Sequence, residues 1–361
     1  MPKKLPGNDT VEVSVFGPGF GECIVLHYGE GKWIVVDSCI DKHERRPSAL
    51  VYFENIDLDP AEHVTHFVLT HPDNDHISGA AELFRKCSSA KLVLPSVFSE
   101  PEMVSYAAHF CRDDTTNLTT ATSEYVAILK TLEARRIAPL YVKQDSPLIV
   151  DDLVSIFALS PSDKKIHTFL TFVSMLVPKD RDPLRRPASL SHNAVSAVLL
   201  LQMCKESVIL GADLEENPGK GWSTILTDSL CFRSSPPTSL IKVPHHGSDN
   251  ADNSDIWTTF CENPYAVLAP FNRGKSRLPR PEDVARICAR TPNSFSTSTY
   301  KDMRPPRDRS LEKLLKTFGI EQQRSEPQTG QVRLRKRMAA PIGAWSVELF
   351  KGAGRLSDVY G

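Results

Sequence analysis

The chain predicts an α/β fold, and three observations predict it. Short apolar runs of strand length recur from Val11 to Phe350. Stretches with helical spacing, such as Gly79 to Cys87 and Ser123 to Arg136, lie between them. Turns rich in His and Asp follow several strand-like runs, and the carboxyl end of a strand is where α/β proteins usually build a site.

The opening third justifies the class element by element. Val11 to Phe16 alternates as a strand, Gly17 to Glu22 forms a tight Gly-rich loop, Cys23 to Tyr28 and Trp33 to Asp37 are strands, and Gly29 to Lys32 is the hairpin turn between them. No Lys-Ser/Thr helix start follows the Gly-rich loop, so it is not a nucleotide-binding loop. A short helix is expected from Pro47 to Glu54, then a buried strand from His66 to Leu69. The turn His71-Pro72-Asp73-Asn74-Asp75-His76 follows, then the helix from Gly79 and a strand from Lys91 to Pro95.

That turn carries two His and two Asp within six residues. These side chains can converge only around something, and a divalent cation is the natural candidate, because like groups packed together unpaired are costly. The bland alternative is a polar loop with solvated side chains. Three later segments repeat the design. Ser191-His192-Asn193 precedes the apolar run Ala194 to Leu201, Ser207 to Leu210 runs into Gly211-Ala212-Asp213-Leu214-Glu215, and Ser239 to Pro244 delivers His245-His246-Gly247-Ser248. His192 reads either as a ligand or as a substrate contact or cap. Asp213 reads as a ligand or as a helix N-cap.

His-x-Asp-x-Asp-His resembles the metal-binding signature of the metallo-β-lactamase superfamily, with Asp73 where that pattern usually has a second His. Lys242-Val243-Pro244-His245-His246-Gly247-Ser248, the Gly-Asp-x-Glu-like turn at Asp213 and Asn193-x-x-Ser196 resemble one branch in particular, the hydrolase domain of the competence protein ComEC and its stand-alone relatives. The resemblance runs from about Val11 to Pro270, with a short return near the C-terminus. It implies a four-layer αββα sandwich of metallo-β-lactamase type. It also implies two divalent metal ions, Zn²⁺ or Mn²⁺, with His71, Asp73 and His192 on one, Asp75, His76 and His246 on the other, and Asp213 bridging. A hydroxide shared by the two metals would be the nucleophile. Asp75 would also orient it, and His245 would face the leaving group or a phosphate, although His245 and His246 can exchange roles. Asp37 would orient a ligand or serve structure rather than bind metal. Asp73 makes the set harder and more anionic, which moves preference toward Mn²⁺ and suits oxygen-rich phosphodiesters.

Composition sets the remaining bounds. The chain has 361 residues, is 40% hydrophobic and 24% charged, and is expected to be a single domain over 1–361. Insertions are expected at 98–135, mainly helical, and at 162–190, charged and proline-rich, with Asp180 to Pro187 mobile. His109, His63 and His66 are expected to be ordinary histidines. Beyond Ser248 the chain reads as a strand from Tyr265 to Pro270, helices at 281–289 and 311–318, and strands at 331–335 and 344–350. No apolar run reaches the roughly 18 residues of a membrane span, and the N-terminus has no apolar core of a signal peptide. Eight singly placed Cys fit reduced thiols, so a cytoplasmic protein is expected. Residues 271–340 hold 17 Lys/Arg against 7 Asp/Glu, which attracts a polyanion or simply makes a solvated face.

These readings predict a metal-dependent phosphodiesterase, foremost a nuclease, with nucleic acid as the substrate partner. A hydrolase of small phosphoesters or other esters is the alternative. A metal-stabilised subunit of a larger complex, with protein partners or a second copy of itself, is the non-enzymatic one. β-Lactam hydrolysis is not expected, because Asp73 departs from that branch.

Overall fold

In the computed structural model the described residues are 4–99, 120–176, 192–216, 219, 221–273, 276–298, 309–318 and 328–360. His109, residues 100–119 of the first expected insertion and 177–190 of the second, including Asp180 to Pro187, lie outside them.

Strands β1 (Thr10–Gly17), β2 (Cys23–His27), β3 (Trp33–Val36), β4 (Val64–Val68), β5 (Lys91–Pro95) and β6 (Leu140–Val142) follow one another across the first sheet. β7 (Ser146–Val150), β8 (Val154–Ala158), β9 (Leu199–Met203), β10 (Ser207–Leu210), β11 (Thr238–Lys242) and β12 (Cys261–Leu268) do the same in the second. A hairpin of β13 (Phe271–Arg273) and β14 (Ser276–Leu278) stands apart, and β15 (Ser294–Ser296) extends the second sheet. The chain then crosses back: β16 (Gly330–Arg337) pairs antiparallel with β1 and with β17 (Ser346–Phe350), before β18 (Gly354–Arg355) closes the second sheet on β15. Each sheet is antiparallel at first and parallel afterwards, β3 to β6 in one and β10, β11, β12 and β15 in the other.

The helices are α1 (Ser48–Asn55), α2 (Pro60–His63), α3 (Asn74–Ile77), α4 (Ala80–Lys86), α5 (Thr120–Arg135), α6 (Asp163–Leu176), α7 (Trp222–Asp228), α8 (Leu230–Arg233), α9 (Pro281–Arg290), α10 (Arg309–Thr317) and α11 (Leu356–Tyr360). None is long and apolar enough to cross a membrane.

Strand alternation makes the layers. On β2 and β3, Ile24, Leu26, Ile34 and Val36 face the core between the sheets, where they meet Leu199, Leu201, Val208 and Leu210 of the second sheet. The opposite faces of the same strands present Val25, Trp33 and Val35 to Leu50 and Phe53 of α1, Leu83 and Phe84 of α4, and Ile128 of α5. On the far side, Leu200, Ile209 and Ile241 meet Trp222 and Ile225 of α7, Phe232 of α8 and Ile287 of α9. Period two in a strand sends alternate side chains to opposite faces, so both faces of each sheet are covered. The result is the αββα sandwich of the metallo-β-lactamase fold.

The expected insertion at 162–190, charged and proline-rich in sequence, opens beside the site with a 14-residue helix, α6. Phe169 and Val173 recur one turn apart and pack with Val97, Phe98 and Val195, which supplies the apolar stripe that the surrounding charges hid.

The first sheet also carries an acid-sensitive element. His27 and His66 are buried, and burial pushes each imidazole down from 6.5 to about 4. A histidine with a folded pKa below its unfolded one contributes stability that is complete above about pH 6.5 and is lost as pH falls toward 4. His27 alone accounts for about 2 kcal/mol of loss between pH 7.5 and 5. His27→Gln is expected to flatten the decline in urea midpoint across that interval by this amount. A variant that declines as steeply as the wild type would remove His27 from the account.

Candidate metal centre

The site lies where β3, β4, β10 and β11 end. Asp37 follows β3 with φ +57, and its carboxylate receives the next strand's exit: Oδ1 accepts from Thr70 N–H at 2.8 Å and Oδ2 from the Thr70 hydroxyl at 2.7 Å. The same Oδ2 accepts from His76 Nδ1 at 2.8 Å. The His76 Nδ1 proton is thereby committed to Asp37, and Nε2 is left facing inward. The turn after β4 is held across the chain by Ser38 N–H on His76 O and Glu22 N–H on Asp75 O, at 2.8 and 2.9 Å. Asp73 stands in the cap position of α3 without capping it. Its Oδ1 accepts from His192 Nδ1 at 2.7 Å, and its Oδ2 is 3.8 Å from His71 Nε2.

From β10, Gly211 packs so tightly on β11 that a Cβ there would lie 2.8 Å from Lys242 O, and Ala212 takes φ +45. Asp213 then turns inward, with Oδ2 3.3 Å from His76 Nε2 and 3.2 Å from His246 Nε2. From β11, His245 (φ +44) and His246 (φ +54) are successive non-glycine residues in the left-handed region, followed by Gly247 at φ +87. Such residues cost about 1–2 kcal/mol each unless neighbouring contacts over-determine them. Here His245 N–H bonds Ala212 O at 3.0 Å, His246 Nδ1 bonds Ala269 O at 2.8 Å, and Arg286 donates to Gly247 O at 2.7 Å.

Asp75, His76, Asp213 and His246 are all buried, and each brings one donor atom within 4.8 Å of the others. His71, His76 and Asp37 form a second such group. Asp73 and His192 adjoin His71 through Asp73 and belong to neither group. The donor set fits a divalent cation on an independent observation. His71 Nε2 and His76 Nε2 are buried without a hydrogen-bond partner, a cost that a cation between them removes.

The electrostatics are those of closely packed opposite charges. Burial acts downward on the His246 imidazole, but Asp213 and Asp75 outweigh it and lift it to about 10. His76 is likewise raised well above its usual range, burial being overcome by Asp213, Asp75 and Asp37. Burial acts upward on Asp213, and His246 and His76 hold it well below the carboxylate range. His71 moves the other way, lowered by burial and by His76.

His245 faces away from the cluster. Its Nδ1 meets Asn250 Oδ1 at 3.0 Å and its Nε2 meets Asn193 Nδ2 at 3.1 Å, so donor and acceptor are both engaged in a polar shelf with Glu215. Around the rim, Phe98 and Phe169 flank His192 with ring centroids at 6.4 Å, and Phe271 lies 5.3 Å from His246. Among the described residues, five cations of the basic stretch are paired within the fold. Arg286 pairs with Asp283, Arg290 with Asp252, Arg333 with Glu348, Arg335 with Glu12 and Lys336 with Glu206.

Sequence reasoning missed two groups at this centre. One is the carbonyl of Ala269, which no side-chain pattern marks. The other is the buried pair of Lys242 and Glu22 behind Asp213, for which the signal was a lysine inside the apolar run Leu240-Ile241-Lys242-Val243.

A family model for the metallo-β-lactamase superfamily matches residues 16–103, which hold β2 to β5 and the His71–His76 turn. Similar solved structures include a B3 metallo-β-lactamase with an active-site glutamic acid, at 14% identity, covering 59% of this chain and 62% of that one, TM-score 0.31. The chain thus spans less than two thirds of that protein's length. Others are the metallo-β-lactamase fold protein YhfI from Bacillus subtilis, at 12% identity with coverage of 64% and 70% and TM-score 0.31, and the hydrolase AbOPH of the β-lactamase superfamily, at 13% identity with coverage of 58% and 72% and TM-score 0.34. Superpositions this loose carry no argument about chemistry. No curated protein matches the sequence.

Proposed function

We propose, for a chain whose membership of the metallo-β-lactamase superfamily is supported by the match over residues 16–103, that it is a metal-dependent phosphodiesterase of the ComEC-like branch, acting on nucleic acid. The observation that carries the reading is the buried convergence of Asp75, His76, Asp213 and His246. Two carboxylates among four donors favour hard divalent cations and, through them, oxygen-rich anionic substrates. His71, Asp73 and His192 are the residues that would hold a second ion. When bound, such a pair of ions supplies charge neutralisation for a phosphate and its leaving oxygen.

The chain's own residues supply the rest. Asp37 orients His76, and Asp213 links the two halves of the site. Asn250 Oδ1 and Asn193 Nδ2 fix the ring of His245, which would serve the leaving group only by turning from this shelf and exchanging the Asn193 donor at Nε2 for it. Gly-turn residues Ser248 and Asn250 stand beside it for a phosphate oxygen.

A second reading is a hydrolase of small phosphoesters or other esters, and the observation favouring it is the apolar wall of Phe98 and Phe169 against His192. The two are separated by one set of assays. Metal content of the purified protein is measured beside cleavage of plasmid and single-stranded DNA with Mn²⁺ or Zn²⁺. About two metals with DNA cleavage that disappears in Asp75→Ala is the expected result. Metal without DNA cleavage, together with turnover of p-nitrophenyl phosphodiesters that DNA does not inhibit, would transfer the assignment to the small-ester reading. Protein that takes up no divalent metal would overturn both.

A further inference from the structure

Lys242 ends β11 as a charge inside an apolar strand, and its ammonium is about as buried as an atom can be. It pairs with Glu22 at 2.7 Å, and both side chains are 1% exposed. Lys242 Nζ also donates to Ala212 O at 2.9 Å and lies 3.7 Å from Asp213 Oδ1, the oxygen that faces away from His76 and His246. The Ala212 carbonyl therefore receives two donors, Lys242 Nζ and His245 N–H, at the residue that takes the left-handed conformation just before Asp213. Glu22 completes the arrangement. Its backbone N–H bonds Asp75 O at 2.9 Å, and its Oε2, which has no hydrogen-bond partner, lies 4.0 Å from His246 Nδ1.

One ion pair thus touches all three chain segments that converge on the cluster, at Asp75, Ala212–Asp213 and His245–His246. A buried ion pair is a poor way to stabilise a fold, because desolvation of two charges commonly exceeds their attraction, and apolar replacements of similar volume are often neutral or stabilising. What such a pair does provide is fixed direction: Lys242 draws Oδ1 of Asp213 to the rear, and the carboxylate can then present only Oδ2 to the cluster. It also neutralises Glu22, which would otherwise add an unpaired charge beside His246.

We propose that Lys242 and Glu22 are positioning residues for the metal centre, setting the rotamer and backbone of Asp213 without themselves ligating. The inference rests on the metal-holding reading above but not on its substrate. The test uses full-length protein and Mn²⁺ or Zn²⁺ alone, titrated against a chromophoric chelator, with thermal unfolding as the companion measurement. The double variant Glu22→Leu/Lys242→Met removes both charges together. It is expected to unfold at or above the wild-type temperature and to bind metal at least about tenfold more weakly, in the range seen when groups behind a metal ligand are removed. Glu22→Gln keeps the volume and a hydrogen bond to Lys242 while leaving that cation uncompensated beside Asp213, and it is expected to weaken metal binding similarly. A folded double variant with wild-type affinity overturns the inference. If the double variant does not fold, wild-type affinity in Glu22→Gln overturns it instead. A wild type that binds no metal sinks the proposed function as well, which distinguishes the two failures.

Discussion

Asp213→Asn is expected to abolish hydrolysis while leaving the protein folded. The substitution keeps the volume of a fully buried side chain and removes its charge. In the native site Asp213 Oδ2 stands 3.3 Å from His76 Nε2 and 3.2 Å from His246 Nε2, so it contacts both the β4 turn and the β11 turn, which also meet directly through Asp75 and His246. A neutral amide there presents either a weaker oxygen or an NH₂ group to a cation. It also withdraws the first of the carboxylates that lift His246 to about 10. Bound metal should fall from about two ions per chain to one or fewer. Turnover should drop by about a thousandfold or more, corresponding to about 4 kcal/mol of lost transition-state stabilisation. Elemental analysis, circular dichroism and a phosphodiester assay on one preparation check all three. Full metal content with wild-type turnover would remove Asp213 from the centre.

Asp37→Ala is expected to damage both the fold and the site. One carboxylate satisfies Thr70 N–H, the Thr70 hydroxyl and His76 Nδ1, all of them buried. Removing it strands three donors, and each stranded buried group costs about 1–3 kcal/mol. A loss of at least about 3 kcal/mol follows, read as a lower urea midpoint. His76 also loses the acceptor that fixes its tautomer and ring angle, and metal affinity should weaken by about 10- to 100-fold. Asp37→Asn separates the two effects, because its oxygen still accepts from Thr70 N–H while its NH₂ group cannot accept from His76. That variant should recover most of the stability and little of the affinity. Recovery of both together would assign Asp37 a purely structural role.

Much of the scaffold was legible in the chain because its signals are local. The alternation in Cys23 to Leu26 and Trp33 to Val36 divides these residues between the sheet-to-sheet core and the outer helices, and period two alone dictates that division. Helix α9 was readable from Pro281-Glu282-Asp283, since Pro and acids favour a first turn. Helix α6 was not, because only Phe98, Val97 and Val195 from distant parts of the chain reveal which of its residues form a buried stripe.

The same division holds at the site. The sequence by itself determined where the His and Asp stand: beside four strand-like runs, in an order that resembles one fold family. Tertiary structure alone decided which of them meet. Asp75, His76, Asp213 and His246 come together over 171 residues of chain, whereas His245, adjacent to His246, turns away to Asn193 and Asn250. The physical reason is that adjacent residues leave the backbone in directions set by local dihedrals, here two left-handed residues held by Ala212, Ala269 and Arg286. Those partners lie on other strands and helices. Tertiary structure likewise decided the partners of individual cations in the basic segment: Arg335 meets Glu12 only because β16 returns to pair with β1, and Arg290 meets Asp252 at the end of α9.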